Sequence, residues 1–370
     1  MKRGWKTSSL GGVCQVTGGG TPSKDHTEYY TGTVPWATVR DMRSEMIFET
    51  EYKITEEAVE HSATNIIPTG NVVVATRVGL GKVCMLGQDT AINQDLRGII
   101  PNDPQTLSVR FLFLWLKSIA HLILAEGTGA TVQGVRLPFI KSLQVPLPPL
   151  PEQQRIVGIL DEAFEAIAIA KANAEKNLQN ARGIFDSHLN SVFTERGEGW
   201  VRTTIGSQVT LQRGFDITKN GQNEGDVPVV SSGGIKSFHD KATVRAPGVV
   251  IGRKGTLGKV FYLDTDFWPH DTTLWIKDFK GNDPRFVYYF FTGLDVKRLD
   301  SGTANPALNR NQVHPIEVEW PSISRQRDIV STLDRLSEET QCLESIYQQK
   351  LAALEELKKS LLHYAFSGEL

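Results

Sequence analysis

The chain contains the same element twice, in register. Pro148 to Phe193 reads PPLPEQQRIVGILDEAF…SHLNSVF, and Pro321 to Phe366 reads PSISRQRDIVSTLDRLS…SLLHYAF. A constant offset of 173 places Gln153 on Gln326, Leu160-Asp161 on Leu333-Asp334 and Phe193 on Phe366, without a gap over 46 positions. An internal repeat constrains the fold more than any local propensity does. The repeat continues more loosely outside this element. Gly4-Trp5 matches Gly199-Trp200, Val72 to Val83 matches Val249 to Val260, and Arg110-Phe111 matches Arg285-Phe286. The offset drifts there, so insertions and deletions fall in the globular part and none in the final segment. Each half is a variable module followed by a rod of fixed length, and the spacing that the rod sets is itself constrained.

The rods read as helices. After Pro151, residues 151–194 contain no further proline and are rich in Ala, Glu, Leu and Gln, all good helix formers. Apolar residues recur with 4-3 spacing at Ile156, Leu160, Ala163, Ile167, Ala170, Ala174, Ala181 and Ile184. The second copy gives Ile329, Leu333, Leu336, Leu343, Tyr347, Leu354, Leu357, Leu361 and Tyr364. A sustained heptad indicates a coiled-coil seam, and an Ala-rich seam facing a Leu-rich one favours pairing of the two copies. A helix of about 44 residues is about 65 Å long. The expected segments are a first module over 1–150, a helix over 151–194, a second module over 195–322 and a helix over 323–370.

In each module a buried-strand candidate, Val72-Val73-Val74 or Val249-Val250-Ile251, runs into a Gly-containing basic loop. The loops carry Arg77 and Lys82 in one half, and Arg253, Lys254 and Lys259 in the other. Neither fits G-x-x-x-x-G-K-[ST] or G-x-G-x-x-G. Two readings are open, a tight β-turn with solvated basic ends and a backbone contact with a polyanion. Three polar segments recur as well. Gly18 to Lys24 matches Arg213 to Lys219, and Asn93-Gln94-Asp95 roughly matches Pro269-His270-Asp271. Gly127 to Gln133 matches the stretch from Gly302, which leads to Asn309-Arg310. The Gln, Asn, Arg and Lys among them are side chains that read base edges in the major groove.

Charge decides little. Lys and Arg number 40 against 42 Asp and Glu, and the modules are near neutral, at 14 against 13 in residues 1–147 and 16 against 15 in residues 195–320. Any basic footprint must come from placement, not excess. Three cysteines without close spacing suggest neither a zinc site nor a disulfide framework. No apolar run is long enough to span a membrane and no signal peptide is evident, so a cytoplasmic protein is expected. The residues offer no His/Cys cluster, no G-x-S-x-G elbow, no N-P-P-[YF] segment and no Walker motif, and they argue for a binder without a cofactor. Cys14, His61 and His188 read as ordinary packed or solvated residues.

The combination of GGTPS with Val34-Pro35-Trp36, the NQD segment at Asn93, PLPPLPEQQRIV at the first rod and the ending Ala365-Phe366-Ser367-Gly368-Glu369-Leu370 resembles the specificity subunit of type I restriction–modification systems. The likeness covers nearly the whole chain. It implies an α+β protein in which two α/β target-recognition domains are separated by two long antiparallel coiled-coil helices, with a pseudo-two-fold internal repeat. By the same likeness, each domain reads half of a bipartite site in double-stranded DNA. The helices bind two methyltransferase subunits, motor–nuclease subunits join through the complex, and the chain itself is not catalytic. The expected DNA-contacting residues are Lys24, Arg40, Arg77, Lys82, Gln94 and Gln133 in the first module. In the second they are Lys219, Arg253, Lys254, Lys259, His270, Asn309 and Arg310. The second module lacks GGTPS and has Val229-Val230 where the first has Trp36-Ala37, as two modules reading different half-sites would. Two other readings compete: an orphan subunit that directs methylation only, and a structural coiled-coil homodimer whose modules bind protein or carbohydrate.

Overall fold

A computed structural model describes residues 5–127, 134–195, 199–294 and 307–370. The chain divides into two compact units, residues 1–173 with 350–370, and residues 174–349. Two long helices, Leu150–Thr194 and Ile323–Ser367, each contribute to both units.

Among the described residues the first unit has three sheets. Cys14–Gly18, Leu96–Pro101, Val72–Ala75, Val83–Leu86 and Met46–Ile47 form the largest, in that order. Tyr52–Ile54, Val34–Ala37, Thr90–Ile92 and Asn65–Ile67 form the second, and Lys6–Ser9 pairs with Gln144–Leu147. The second unit repeats this plan with fewer strands. Thr210–Arg213, Thr273–Asp278, Gly248–Gly252 and Val260–Leu263 make one sheet. Gly234–His239, Val227–Ser231 and Trp268–Pro269 make another, and Trp200–Thr204 pairs with Glu317–Pro321. The smaller sheet of each unit contains one parallel pair, Trp36 on Ala91 and Val229 on Trp268. The strands predicted at Val72 and Val249 are present and wholly buried.

The core of each unit runs from its module into its helices without a break. In the first, Phe111, Leu112 and Trp115 pack with Ile156, Leu160, Phe164, Leu362 and Ala365. In the second, Phe286, Tyr289 and Phe290 pack with Leu189, Ile329 and Leu333. The helices run antiparallel in both. Lys171 Nζ meets Glu355 Oε1 at 2.6 Å in the first unit while Arg155 reaches the carbonyl of Leu370, and Arg182 meets Glu344 at 3.0 Å in the second. The seam differs from the sequence reading in detail. Phe164 is buried where Ala163 was expected to lead, while Ile184, Leu343, Leu357 and Tyr364 are exposed. On the second helix the inward face steps through Thr340, Glu344, Tyr347, Leu351, Leu354, Lys358 and Leu361. Three of those residues are polar, so tracing apolar residues alone drifts onto the outer face.

One buried side chain ties each module to its helix. Gln153 has no exposed surface; its Oε1 accepts the Ser108 N–H at 2.9 Å, and its Nε2 donates to the carbonyls of Thr106 and Pro148, both at 2.9 Å. Ser108 caps the N-terminus of the helix Val109–Ser118. Gln326 repeats the arrangement. It accepts from the N–H of Asp283, which caps Pro284–Gly293, and donates to Pro321 O and Asn282 Oδ1. A second tie follows about two turns further on, where Arg110 pairs with Asp161 and Arg285 with Asp334. These pairs are about one-third exposed, so each contributes about 1 kcal/mol or less. Tyr289 adds a hydrogen bond to Asp334; burial and then that carboxylate push its phenol well above the usual range and keep it a donor. In the first unit Glu45 takes this supporting place, beside Arg110, Lys117 and Lys358. Burial opposes its ionisation, but the Lys117 hydrogen bond and the surrounding cations prevail and hold it below the usual carboxylate range.

Replacing Gln153 by Ala leaves one N–H and two carbonyls without this partner, the Pro148 carbonyl in a buried setting, which costs about 1–3 kcal/mol. Gln153→Ala and Gln326→Ala are each expected to destabilise the chain by that amount in equilibrium unfolding. Loss below about 0.5 kcal/mol in both variants would mean that the apolar core alone holds the modules.

Candidate nucleic-acid interface

The basic loops are hairpin turns. Ala75 N–H donates to Lys82 O at 2.9 Å, and Gly252 N–H donates to Lys259 O at 2.8 Å, closing equivalent loops in the two units. Arg77 and Lys82 are exposed on the first loop, Lys254 and Lys259 on the second, and Arg253 is half-buried at its base. The structure shows the tight turn with exposed cations of the first reading.

A short crossover segment sits beside each turn and leads from the smaller sheet to the larger. Thr76 N–H donates to Asp95 O at 2.8 Å, and Arg253 N–H donates to Thr272 O at 2.9 Å. Asn93 N–H donates to Ala37 O, and His270 N–H to Val230 O. The backbone therefore aligns Asn93-Gln94-Asp95 with His270-Asp271-Thr272, one residue later than the sequence match. Glycine fixes the approach of the chain to this segment. A Cβ on Gly19 would lie 2.1 Å from the carbonyl oxygen of Asn93, and one on Gly214 would lie 2.2 Å from that of His270.

In the first unit the segment forms one wall of a cleft of about 380 Å³, lined by Lys24, Arg40, Trp36, Tyr52, Asn93 and Asp95 among others. Lys24 and Arg40, read separately from sequence, are brought together here. Arg77 approaches Asp95 at 3.7 Å, and Gln94 is exposed with its Oε1 taking the Thr21 hydroxyl. Lys82 stands apart from the cleft, and Gln133 lies outside the described residues. In the second unit Arg253, Asn309 and Arg310 line one groove of about 420 Å³ with Gln212, Arg213 and Asn311. Lys219 and Lys254 do not line it, and the Lys259 ammonium lies 5.2 Å from the Phe261 ring centre. His270 is not presented to the surface. Its side chain is 12% exposed, and its Nδ1 faces the Thr272 N–H at 3.3 Å, as Asn93 Oδ1 accepts the Asp95 N–H at 3.1 Å. Both side chains hold the turn from within.

Sequence reasoning missed Arg213, Asp95 and Asp271. Arg213 Nη2 donates to Asp271 Oδ2 at 3.0 Å across 58 residues, a pairing no local pattern signals. Burial opposes the charge on Asp271, but Arg213 and His270 outweigh it and hold the carboxyl below its usual range, so it is ionised at neutral pH. Cys14 is buried, which pushes its thiol up to about 12 and makes it an inert packing residue. Among the described residues no helix is long and apolar enough to cross a membrane, and no cluster of His, Cys, Asp and Glu has metal-binding geometry.

Two equivalent frames, each with a crossover beside a cation-bearing hairpin, agree with the comparison to known proteins. The family model of the type I restriction modification DNA specificity domain matches residues 2–180 and again 197–355, and the chain belongs to that family. It is 36% identical over 165 residues to the specificity subunit of the type I restriction enzyme EcoR124I/EcoR124II from Escherichia coli, covering 43% of this chain and 40% of that one. It is 29% identical over 178 residues to the MjaIX specificity subunit of Methanocaldococcus jannaschii, covering 47% and 41%. The match thus spans about two-fifths of those relatives. A solved chain from work on complex assembly and conformational transition of the type I R-M system shares the fold, with a TM-score of 0.84 over 100% of this chain and 99% of that one at 18% identity.

The close approach at Gly19 and Gly214 yields a direct test. Gly19→Ala and Gly214→Ala are each expected to cost about 1–3 kcal/mol or more, because the obstructing atom is backbone. Wild-type melting of either variant would show that the crossover is not held as described.

Proposed function

We propose that the chain is the DNA-reading subunit of a type I restriction–modification complex and has no catalysis of its own. Each module reads one half of a bipartite duplex site. The first module is residues 1–150 and the second residues 195–322, with the helical segments 151–194 and 323–370 between and after them. The helices dock two methyltransferase subunits, and motor–nuclease subunits join through the complex. The observation that carries this reading is the repetition of one backbone frame with different side chains on its cation-bearing face. A repeated frame with diverged faces is what two readers of different half-sites require.

Arg77, Lys82, Arg253, Lys254 and Lys259 are assigned to phosphates, since turn-borne cations position a protein on a duplex without reading its sequence. Lys24, Arg40 and Gln94 in the first module, and Lys219, Asn309 and Arg310 in the second, are assigned to the same face. Two apolar residues support the docking role. Ile184 and Leu357 occupy equivalent points of the repeat, and each is 46% exposed on its own helix. Two equivalent exposed residues suit two equivalent partner subunits.

Methylation mapping in cells that carry the chain with its methyltransferase subunits is expected to show one bipartite, asymmetric motif. Arg77→Ala and Lys254→Ala should weaken DNA binding by the complex across all sequences and lower the salt slope by about one each. A change confined to one base position, with the slope unaltered, would make the residue a base reader instead. Methyl transfer by the chain alone would overturn the non-catalytic reading.

A further inference from the structure

A carboxylate accompanies the cations of each face. Asp95 lines the cleft of the first unit with Lys24 and Arg40, and Asp271 contacts Arg213, which lines the groove of the second. A fixed negative charge on a surface that approaches a polyanion is unfavourable unless it gains a specific partner. Neither carboxylate is used up by its neighbours. An ionised carboxylate has about four acceptor positions. Asp95 Oδ2 takes the Asn93 amide at 3.0 Å, whereas Oδ1 faces Arg77 only at 3.7 Å, too long for a hydrogen bond. Asp271 Oδ2 takes Arg213, and its Oδ1 lies 2.9 Å from the His270 ring nitrogen. Both side chains remain partly open, at 17% and 21% exposure.

The positions of the two acids differ in an informative way. On the shared backbone frame Asp271 corresponds to Gln94, and Asp95 corresponds to Thr272. The carboxylate has moved by one residue between modules whose crossover backbones make the same hydrogen bonds. Neighbouring residues on such a segment project in different directions, so the two acids address different places on a bound duplex. In the major groove the groups a carboxylate can accept from are the exocyclic amino groups of cytosine and adenine.

We infer that Asp95 and Asp271 are base readers, each accepting a hydrogen bond from the exocyclic amino group of one cytosine or adenine in the half-site of its own module. This rests on the DNA-reading function proposed above. Asn93, which donates to Asp95, and Arg213, which donates to Asp271, then act as positioning residues that hold the carboxylates in place before DNA arrives.

The test uses the complex with its methyltransferase subunits. Methylation maps are compared for the wild type, Asp95→Asn and Asp271→Asn. An asparagine keeps the shape and presents a donor as well as an acceptor. Asp95→Asn is expected to relax or change one base position in one half-site, and Asp271→Asn one position in the other, with preference shifting roughly 5- to 150-fold there. Binding to duplexes in which that base is replaced by purine or 2-pyrimidinone, which lack the amino group, should fall for the wild type and fall no further for the variant. Asp95→Ser, which keeps a small acceptor for Asn93, carries the same test if Asp95→Asn melts early. An unchanged motif with uniformly tighter binding and a steeper salt slope would make the carboxylates mere repulsive charges and overturn the inference. So would uniformly weaker binding with the motif intact. If the wild type itself yields no bipartite motif, the functional reading fails first.

Discussion

A buried glutamine amide at the first turn of each long helix is the constraint on which the rest of the structure depends. The amide joins three things that would otherwise be independent: the entry of the chain into the helix, the capped N-terminus of the helix inside the module, and the loop before it. Its donors and acceptor match the polar groups of that junction, all backbone in the first copy and including the Asn282 side chain in the second. Hydrocarbon could fill the same volume but would leave those groups unsatisfied. The Arg110–Asp161 and Arg285–Asp334 pairs reinforce this junction from a partly exposed site, where their strength is modest. Their main effect is to fix direction.

With the junction fixed, the module can vary elsewhere. The two units keep the crossover, the hairpin and the glycine that lets one pass close to the other. They differ in strand number, in the aromatic wall of the first cleft, and in the order of amide, acid and hydroxyl along the crossover. The shared frame keeps the backbone geometry constant while the side chains on its face change. Near-neutral modules suit this division. Cations at the turns and grooves are balanced by acids, Asp95 and Asp271 among them.

Much of this was legible in the sequence. The repeat, the two long helices, the valine strands and the basic turns follow from periodicity and spacing. The seam was legible only in part, because Thr340, Glu344 and Lys358 occupy inward positions while Leu343 and Leu357 lie outward. Apolar tracing cannot see a polar residue that packs through its aliphatic stem. The crossover alignment was off by one because the Asn93 and His270 side chains are unlike, although both face the N–H two residues ahead. That equivalence resides in hydrogen-bond geometry, not in residue type. Likewise Arg213 and Asp271 meet only through the pairing of distant strands.

The central claim is that one frame serves both modules and that each face reads independently. The direct measurement is a methylation map of a chain in which residues 200–320 are replaced by residues 5–147, so that both positions carry the first face. Each junction then retains its own glutamine, Gln153 or Gln326. The account predicts a site with two copies of the same half. A site that keeps the original second half, or a loss of methylation from a chain that still folds and binds its methyltransferase subunits, would contradict it.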